Sequence, residues 1–113
     1  MKSIYRLKKN YQYNYVYKHS ESVADRNFVM LYCENRKQGA NPTRVGFSVS
    51  KKYGKAVKRN RIRRQMKAVV SSLMPDVKEG YNVVLIPRRH ETYLFEDVTQ
   101  SVRFLFKKSG LLQ

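Results

Sequence analysis

Residues 55–67 of this chain read KAVKRNRIRRQMK, with seven positive charges in thirteen positions and no acid. On a helix, like charges three or four residues apart repel by roughly a few tenths of a kcal/mol per pair. The neighbouring sequence offers no relief, because the stretch between Glu34 and Asp76 holds twelve Lys and Arg residues and no acidic residue. A fold that contains this segment must therefore place it where something strongly anionic can neutralise it.

The charge of the whole chain indicates the class of that partner. The formal net charge is +16 over 113 residues. A surface that serves only solubility would mix positive and negative side chains, and would not collect so many positive charges in one region. This excess predicts a polyanionic partner, with nucleic acid as the default and an anionic membrane surface as the competitor. With 42% hydrophobic residues at this length, we expect a folded protein with a single domain, residues 1–113.

The basic segment runs into the apolar AVVSSLMP, and together they predict an amphipathic helix that stops before Pro75. At about 100° per residue, five apolar side chains gather within roughly a 100° arc. They are Ile62, Met66, Val69, Val70 and Leu73. The opposite side carries Asn60, Arg64 and Lys67 in one line, flanked by Arg61 and Arg63. Arg59 falls nearer the apolar arc, so we expect its stem at the core boundary and its guanidinium at the rim.

Three further segments predict strands, and one predicts a final helix. Residues 28–33 and 81–87 are short apolar runs typical of buried strands. In RVGFSVSKK, residues 44–52, the side chains of Val45, Phe47 and Val49 alternate with those of Gly46, Ser48 and Ser50. This alternation predicts one core face and one smooth face over which another group can lie. The final helix is predicted at residues 95–110, with Phe95, Val98, Val102 and Leu105 on its packed face.

The segment NYQYNYVYKHS at residues 10–20 fits two structures equally well. Tyr11, Tyr13, Tyr15 and Tyr17 alternate as in a strand. Tyr13, Val16 and Tyr17 also form one helical face, with Asn10 as a cap. The element order is therefore helix or strand, strand, strand, helix, strand, helix, which is an α+β architecture. Tyrosines beside so many cations favour stacking with bases, and the alternative is that two or more of them pack into the core.

Few residues could build a catalytic centre within the chain itself. Only eight carboxylates are present, and the adjacent pair Glu96 and Asp97 diverges on a helix, whereas a two-metal nuclease needs several converging carboxylates. His19 and His90 lack zinc-ligand spacing, and no glycine-rich phosphate loop occurs. The single Cys33 lies in an apolar run, so we expect a buried thiol in a reducing compartment. We expect neither a signal peptide nor a membrane-spanning segment.

An ordered set of motifs runs through most of the chain. A strand ends in Ser48-Val49-Ser50-Lys51-Lys52, Gly54 follows, and the next helix carries RNRIRR at residues 59–64. Outside this centre lie YRLKKN at residues 5–10, VYKHSESVADRNFV at 16–29 and VVLIPRR at 83–89. In order and in spacing, these motifs resemble those of the protein subunit of bacterial ribonuclease P.

The resemblance implies a function and a set of partners. It implies a subunit of a ribonucleoprotein endoribonuclease that removes the 5′ leader from precursor tRNA to give mature 5′ ends. Catalysis would be carried by a large ribonuclease P RNA that uses magnesium ions, and the protein alone would be inactive and would bind no metal tightly. The implied partners are that RNA and the leader of precursor tRNA, with no membrane partner. The implied location is the cytoplasm.

The resemblance also implies a fold. It is a two-layer α/β sandwich with a small, mostly antiparallel sheet, like certain ribosomal protein domains, in the order α-β-β-β-α-β-α. A left-handed βαβ crossover would carry the basic helix, and the tyrosine-rich N-terminal segment would be helical.

Carried over position by position, the resemblance implies two sets of binding residues and no catalytic residue. The RNA-binding set is Lys51, Lys52, Lys55, Lys58, Arg59, Asn60, Arg61, Arg63, Arg64, Lys67, Arg88 and Arg89. The leader cleft, between the first helix and the sheet, is expected at Tyr13, Tyr17, Phe28, Ser48 and Ser50.

The family often has a tyrosine two positions after the F-V of its second strand. Here Leu31 occupies that position, and Tyr32 comes one residue late. A one-residue offset puts a strand side chain on the other face, so a cleft role for Tyr32 would need a bulge.

Two other classes of function are weighed against this one. A non-catalytic RNA-binding protein, such as a ribosomal component on a related fold, would share the charge and the architecture. A DNA-binding or membrane-surface protein fits less well, because the apolar arc holds the basic helix in a domain and not free on lipid. That helix also offers no clear set of base-reading side chains beyond Asn60.

Overall fold

The computed structural model describes residues 5–35, 42–88 and 93–113. Its helices are α1 (Asn10–His19), α2 (Ala56–Leu73) and α3 (Phe95–Lys108), and its strands are β1 (Glu21–Ala24), β2 (Phe28–Glu34), β3 (Arg44–Phe47) and β4 (Tyr81–Pro87). The order α-β-β-β-α-β-α is confirmed, and the tyrosine-rich N-terminal segment is a helix. None of the helices in these ranges combines the length and the apolar character needed to cross a bilayer.

The four strands form one mixed sheet in the order β1-β2-β4-β3. β2 pairs antiparallel with both β1 and β4, whereas β3 pairs parallel with β4. The sheet is therefore mostly antiparallel, as predicted, and β3-α2-β4 forms the expected βαβ unit, whose hand stays a prediction. Because β3 and β4 are parallel, their carboxyl ends meet at the same edge of the sheet. Lys51 and Lys52, which follow β3, are therefore brought to the same edge as Arg88, which follows β4.

The main core lies between the sheet and the pair α2 and α3. All five apolar side chains predicted on α2 are at most 2% exposed. Burying a side chain of this size contributes roughly 1.5–3 kcal/mol, which outweighs the charge repulsion of a few tenths per pair on the same helix. On α3, Val98, Val102 and Leu105 are buried as predicted. The prediction for Phe95 is wrong: it is the first residue of α3 and is 51% exposed, so the packed face begins at Val98.

α1 covers part of the opposite face of the sheet. Its one fully buried side chain, Val16, packs in a small cluster with Leu7 and Val84. The side chains of β2 point to both faces of the sheet. Phe28 and Met30 enter the main core, whereas Leu31 and Cys33 face this smaller cluster. The predicted sandwich is confirmed, with α1 as a partial cover on its second face.

Candidate nucleic-acid interface

A groove of about 470 Å³ separates α1 from the end of β3. Its lining consists of Asn10, Tyr13, Asn14, Tyr17, Phe47, Ser48, Val49 and Arg63. Val16 anchors α1 on the sheet, and Gly46 of β3 leaves room for the Tyr13 ring beside the groove. This groove thus joins a tyrosine wall, a serine hydroxyl and one guanidinium of α2. Because the sequence predicts the leader cleft here, we call it the leader groove.

Tyr17 forms the exposed part of the tyrosine wall. Its phenol donates a hydrogen bond to Ser48 Oγ at 3.0 Å, although 47% of the residue remains exposed. The ring lies 6.5 Å from that of Tyr13, centroid to centroid, with an interplanar angle of 41°. An exposed ring held by its hydroxyl offers a π-face to an unstacked base, and such stacking tolerates any base sequence.

Tyr13 forms the inner part of the wall, and Gly46 makes room for it. The phenol donates to the backbone carbonyl of Leu7 at 3.3 Å. A Cβ at position 46 would lie 2.5 Å from the phenol oxygen of Tyr13, so a larger residue there would displace the ring. Burial raises the pKa of Tyr13, although Arg6 and Arg63 act in the opposite direction. The phenol is therefore neutral near pH 7 and does not repel a phosphate.

The polar row of α2 borders the same groove. Asn60, Arg61 and Arg64 are exposed, whereas Arg63 and Lys67 are partly buried. Asn60 Oδ1 accepts a hydrogen bond from Arg63 Nη1 at 3.3 Å, which directs that guanidinium along the helix. Since the apolar arc of α2 is fixed in the core, these cations cannot spread apart to relieve their repulsion.

The N-terminal end of α2 adds to this positive potential. Lys51, Lys52 and Lys55 are all exposed. Lys55 occupies the N-cap without a side-chain hydrogen bond, and the first turn contains no acid. Unsatisfied N–H groups and the positive end of the helix dipole therefore face lysines, which is unfavourable by itself and favourable for a bound anion.

Lys58 and Arg59 are less exposed than their neighbours. The Lys58 ammonium lies 5.6 Å from the centroid of the Tyr53 ring, at cation–π distance. Arg59 Nε is buried and has no hydrogen-bond partner among the described residues, so this nitrogen of the guanidinium does not lie at the rim, where the sequence predicted the whole group. An unsatisfied buried donor costs roughly 1–3 kcal/mol, which an anion or a water that reaches it would recover.

Arg6 belongs to this surface and was not predicted as a binding residue. It forms a parallel β-bridge with Val45, and Leu7 N donates to Val45 O at 3.1 Å, which fixes the N-terminal segment beside β3. Burial, followed by the charges of Arg6 and Arg63, lowers the pKa of Lys67. Three cations thus crowd one place, and the only signal in the sequence was the YRLKKN motif.

The comparisons with known proteins agree with this arrangement. The family profile described as Ribonuclease P matches residues 1–110. The ribonuclease P protein component of Symbiobacterium thermophilum is 41% identical over 114 residues, covering 100% of this chain and 97% of the relative. That of Oceanobacillus iheyensis is 38% identical, covering 100% and 93%. The chain belongs to the ribonuclease P protein family.

Solved structures support the same assignment. The RNase P protein of Staphylococcus aureus superposes with a TM-score of 0.86 at 30% identity, covering 96% of this chain and 98% of that one. The RNase P protein of Thermotoga maritima gives 0.80 at 26% identity, covering 91% and 96%. This chain is therefore the protein component of a ribonuclease P, which acts in tRNA 5′ processing together with an RNA subunit.

Of the remaining basic residues predicted for ribonuclease P RNA, Arg88 follows the last residue of β4. Arg88 is exposed, and its Nε donates to the backbone carbonyl of Asp25 at 3.0 Å, which ties it to the turn between β1 and β2. Arg88 therefore extends the positive edge that Lys51 and Lys52 begin. Arg89 lies outside the described residues.

Two residues predicted for the leader cleft lie elsewhere. Phe28 has no exposed surface and stacks on Tyr93 at 5.4 Å in the main core, so its assignment to the cleft is wrong. The reason is the pleat of β2, which turns Phe28 away from α1. Ser50 is exposed at the start of a 3₁₀ turn and does not line the leader groove.

The offset between Leu31 and Tyr32 has the consequence that the sequence predicted. Leu31 packs in the cluster under α1, whereas Tyr32 packs against the main core on the other face. β2 pairs in continuous register with both neighbours through this region, without a bulge. Tyr32 therefore does not replace the aromatic residue that the family often has at the position of Leu31.

The histidine and cysteine side chains in the described ranges lie apart from other groups that could bind a metal with them. No group of three or more His, Cys, Asp or Glu residues there is arranged to hold an ion. His19 instead contacts the Tyr15 ring at 4.4 Å between centroids, and burial raises the pKa of the Cys33 thiol. His90 lies outside the described residues.

Proposed function

We propose that this protein helps a ribonuclease P RNA to cleave precursor tRNA by gripping RNA at two adjoining surfaces. The polar row and N-terminal end of α2, with Arg6 and Arg88, bind phosphates of the RNA subunit. The leader groove holds the single-stranded 5′ leader of the precursor. In this proposal the RNA subunit carries the catalysis and the protein alone is inactive.

The observation that carries the proposal is the meeting of two chemistries in one groove. Tyr13 and Tyr17 line it from α1, and Arg63 lines it from α2. Cations grip a backbone and aromatic rings stack on successive bases, which is the combination that holds single strands without sequence preference. Since leaders differ in sequence between tRNAs, such tolerance suits this substrate.

Magnesium enters this proposal only through the RNA. When it is bound there, it would supply the charge that activates water and stabilises the leaving oxygen. The protein's contribution is to reduce repulsion between RNA strands and to hold the leader, so it should lower the magnesium concentration that the RNA needs. We propose the cytoplasm as the place of action, where the single thiol of Cys33 would stay reduced.

Reconstitution tests the proposal directly. The purified chain, a bacterial ribonuclease P RNA and a precursor tRNA are combined at low magnesium, and release of the leader is followed over time. We expect cleavage only when protein and RNA are both present, with 5′ ends identical to those that the RNA alone produces at high magnesium.

The controls separate this function from its competitors. Tight RNA binding without stimulation of cleavage would favour a non-catalytic RNA-binding protein, such as a ribosomal component. Cleavage by the chain without RNA would contradict the assignment of catalysis to the RNA. If the protein strengthened the binding of precursor tRNA and of mature tRNA to the same degree, the assignment of the leader to the groove would be contradicted.

A further inference from the structure

α1 carries a second aromatic row on the flank that faces away from the leader groove. Tyr11, Tyr15 and His19 are four residues apart and therefore lie along one side of the helix. At about 100° per residue, this row and the pair Tyr13 and Tyr17 occupy roughly opposite flanks, with Val16 between them on the sheet side. Tyr11 is 62% exposed and Tyr15 is 43% exposed, so neither ring is needed for the core.

This second row borders a groove of its own, which we call the distal groove. It has a volume of about 640 Å³ and lies where β2 ends and β4 begins, beside the carboxyl end of α3. The rings of Tyr15, His19, Tyr32 and Tyr81 line it, together with the charged side chains of Glu34 and Lys78. α1 is therefore a ridge with an aromatic groove on each side.

The rings of the distal groove are held in place by their neighbours. Tyr15 and His19 contact each other at 4.4 Å between centroids with an interplanar angle of 39°. Tyr32 lies directly opposite Glu21 across the β1–β2 pair, and burial followed by the nearby Glu21 raises the pKa of Tyr32. Tyr81 lies opposite Glu34 across the β2–β4 pair. The opening between these rings also holds the carboxylates of Glu21 and Glu34 and the ammonium of Lys78.

We propose that the distal groove binds one unpaired base of the RNA strand whose neighbouring nucleotides occupy the leader groove. A planar ligand is favoured by the ring walls, since base–aromatic stacking is the main contribution to such sites. Lys78 offers a cation to a phosphate, and Glu34 accepts hydrogen bonds from a base edge. This inference rests on the proposed function, because it needs a strand already seated in the leader groove.

The path between the two grooves is short. A helix with its side chains is about 10–12 Å across, so a strand that leaves the leader groove reaches the distal groove after crossing α1 alone. The exposed Lys18 and Tyr11 lie on α1 beside this path and offer a phosphate contact and a further ring. The net charge of +16 favours keeping a polyanionic strand on the surface, whereas a protein partner gains no such attraction.

The carboxylate predicts which base is preferred. Glu34 accepts and does not donate hydrogen bonds when ionised. Guanine presents two adjacent donors on one edge, N1–H and N2–H, which match the two carboxylate oxygens. Uracil presents a single donor between two carbonyl acceptors, which the carboxylate repels. Guanine is therefore the preferred occupant and uracil the poorest.

A leader-length series with the holoenzyme tests the proposal. Precursor tRNAs carry an all-uridine leader that is lengthened one nucleotide at a time, and a second series places guanosine at each added position. We expect affinity for the wild-type holoenzyme to rise by about tenfold over one or two positions, once the leader can cross α1. The rise should be larger with guanosine than with uridine.

Variants assign that rise to the distal groove. Tyr15→Ala should abolish it, and Glu34→Gln should remove the preference for guanosine while keeping part of the rise. Tyr17→Ala should weaken binding of every leader but leave the rise in place. Phe104→Ala removes a ring that is 50% exposed on α3, outside both grooves, and should match the wild type. Thermal melts confirm that each variant is folded.

Three outcomes would overturn the proposal. The first is that affinity for the wild-type holoenzyme does not rise with leader length, and the second is that the rise survives in Tyr15→Ala. The third is that Tyr15→Ala leaves RNA affinity unchanged but alters the mass of the assembled holoenzyme. This third result would show that the groove is a contact between protein molecules. A wild-type protein that fails to stimulate cleavage of any precursor would instead refute the proposed function, so the two failures are distinguishable.

Discussion

α1 and α2 border the same groove, yet they are built and held in different ways. α2 has eighteen residues, buries five apolar side chains and carries its cations on the remaining surface. α1 has ten residues, buries only Val16 and exposes rings on both flanks. The firmly anchored helix can keep like charges together against their repulsion, and the lightly anchored one presents rings that a strand can reach.

This difference suggests a division of labour. Phosphate contacts release counterions, give affinity and steepen the salt dependence, but carry no preference among RNAs. Stacking in a narrow groove depends little on salt and requires a single strand. We therefore expect α2 to set how tightly RNA binds and α1 to set which RNA is favoured.

The largest expected effect comes from Arg64→Ala. Arg64 is exposed on the polar row and takes no part in the core, so the change should leave the fold intact. Removing a charge-assisted hydrogen bond to a phosphate, worth roughly 1.5–3 kcal/mol, should weaken assembly with the RNA subunit about tenfold to a hundredfold. Filter binding of labelled ribonuclease P RNA measures this. Arg103→Ala, an exposed arginine on α3, serves as the control and should change little.

Tyr17→Ala is expected to reduce the selectivity that we assign to α1. Removing a stacking ring should cost roughly 1–3 kcal/mol in binding a leader-bearing precursor, with mature tRNA nearly unaffected. The ratio of the two dissociation constants, measured with the same holoenzyme preparation, is the readout. A variant that weakened both RNAs to the same degree would show that Tyr17 does not contact the leader.

A smaller effect should come from the hydroxyls alone. Tyr17→Phe and Ser48→Ala each remove the 3.0 Å hydrogen bond while keeping the ring. Each should reduce selectivity for the leader by roughly 0.5–1.5 kcal/mol, because the ring loses its fixed position. The double variant should lose no more than either single one. Additive losses would mean that each hydroxyl contacts RNA independently.

The smallest effect concerns the stability of the free protein. Removing the charge of Lys67 should stabilise the fold, whereas it should weaken RNA binding. Burial, Arg6 and Arg63 lower the pKa of Lys67 in the folded protein, so protonated Lys67 destabilises the fold at pH 7. Lys67→Gln should raise the free energy of unfolding by a few tenths of a kcal/mol, as expected for removing one like-charge pair. Thermal melts should show a gain at pH 7 that disappears as the pH rises above the ordinary lysine pKa of 10.5. A loss of stability would show that Lys67 has a favourable partner in the free protein.

Local patterns predicted most of the secondary structure. The apolar arc of α2 and the bounds of β4 at residues 81–87 follow from periodicity within one segment, and the structure reproduces both. The faces of β3 were also predicted, because alternation fixes relative direction whatever covers the sheet. The one-residue offset at Tyr32 was interpreted correctly for the same reason.

Interactions between distant segments could not be predicted in this way. Alternation in β2 separates Phe28 from Leu31, but only the packing of α1 shows which of them faces the leader groove. Arg6 joins Arg63 and Lys67 because the N-terminal segment bridges to β3, a long-range pairing that leaves no periodic signal. The distal groove likewise combines residues from α1, the sheet and the chain after α3.

The division between the two helices is tested most directly by the salt dependence of precursor binding in Arg64→Ala and Tyr17→Ala, measured side by side. The slope of log affinity against log salt concentration changes by a little under one for each phosphate that the protein ceases to neutralise. We predict that Arg64→Ala lowers the magnitude of the slope by about the amount due to one phosphate, while Tyr17→Ala lowers affinity at every salt concentration and leaves the slope unchanged. Equal changes of slope in both variants would contradict the account.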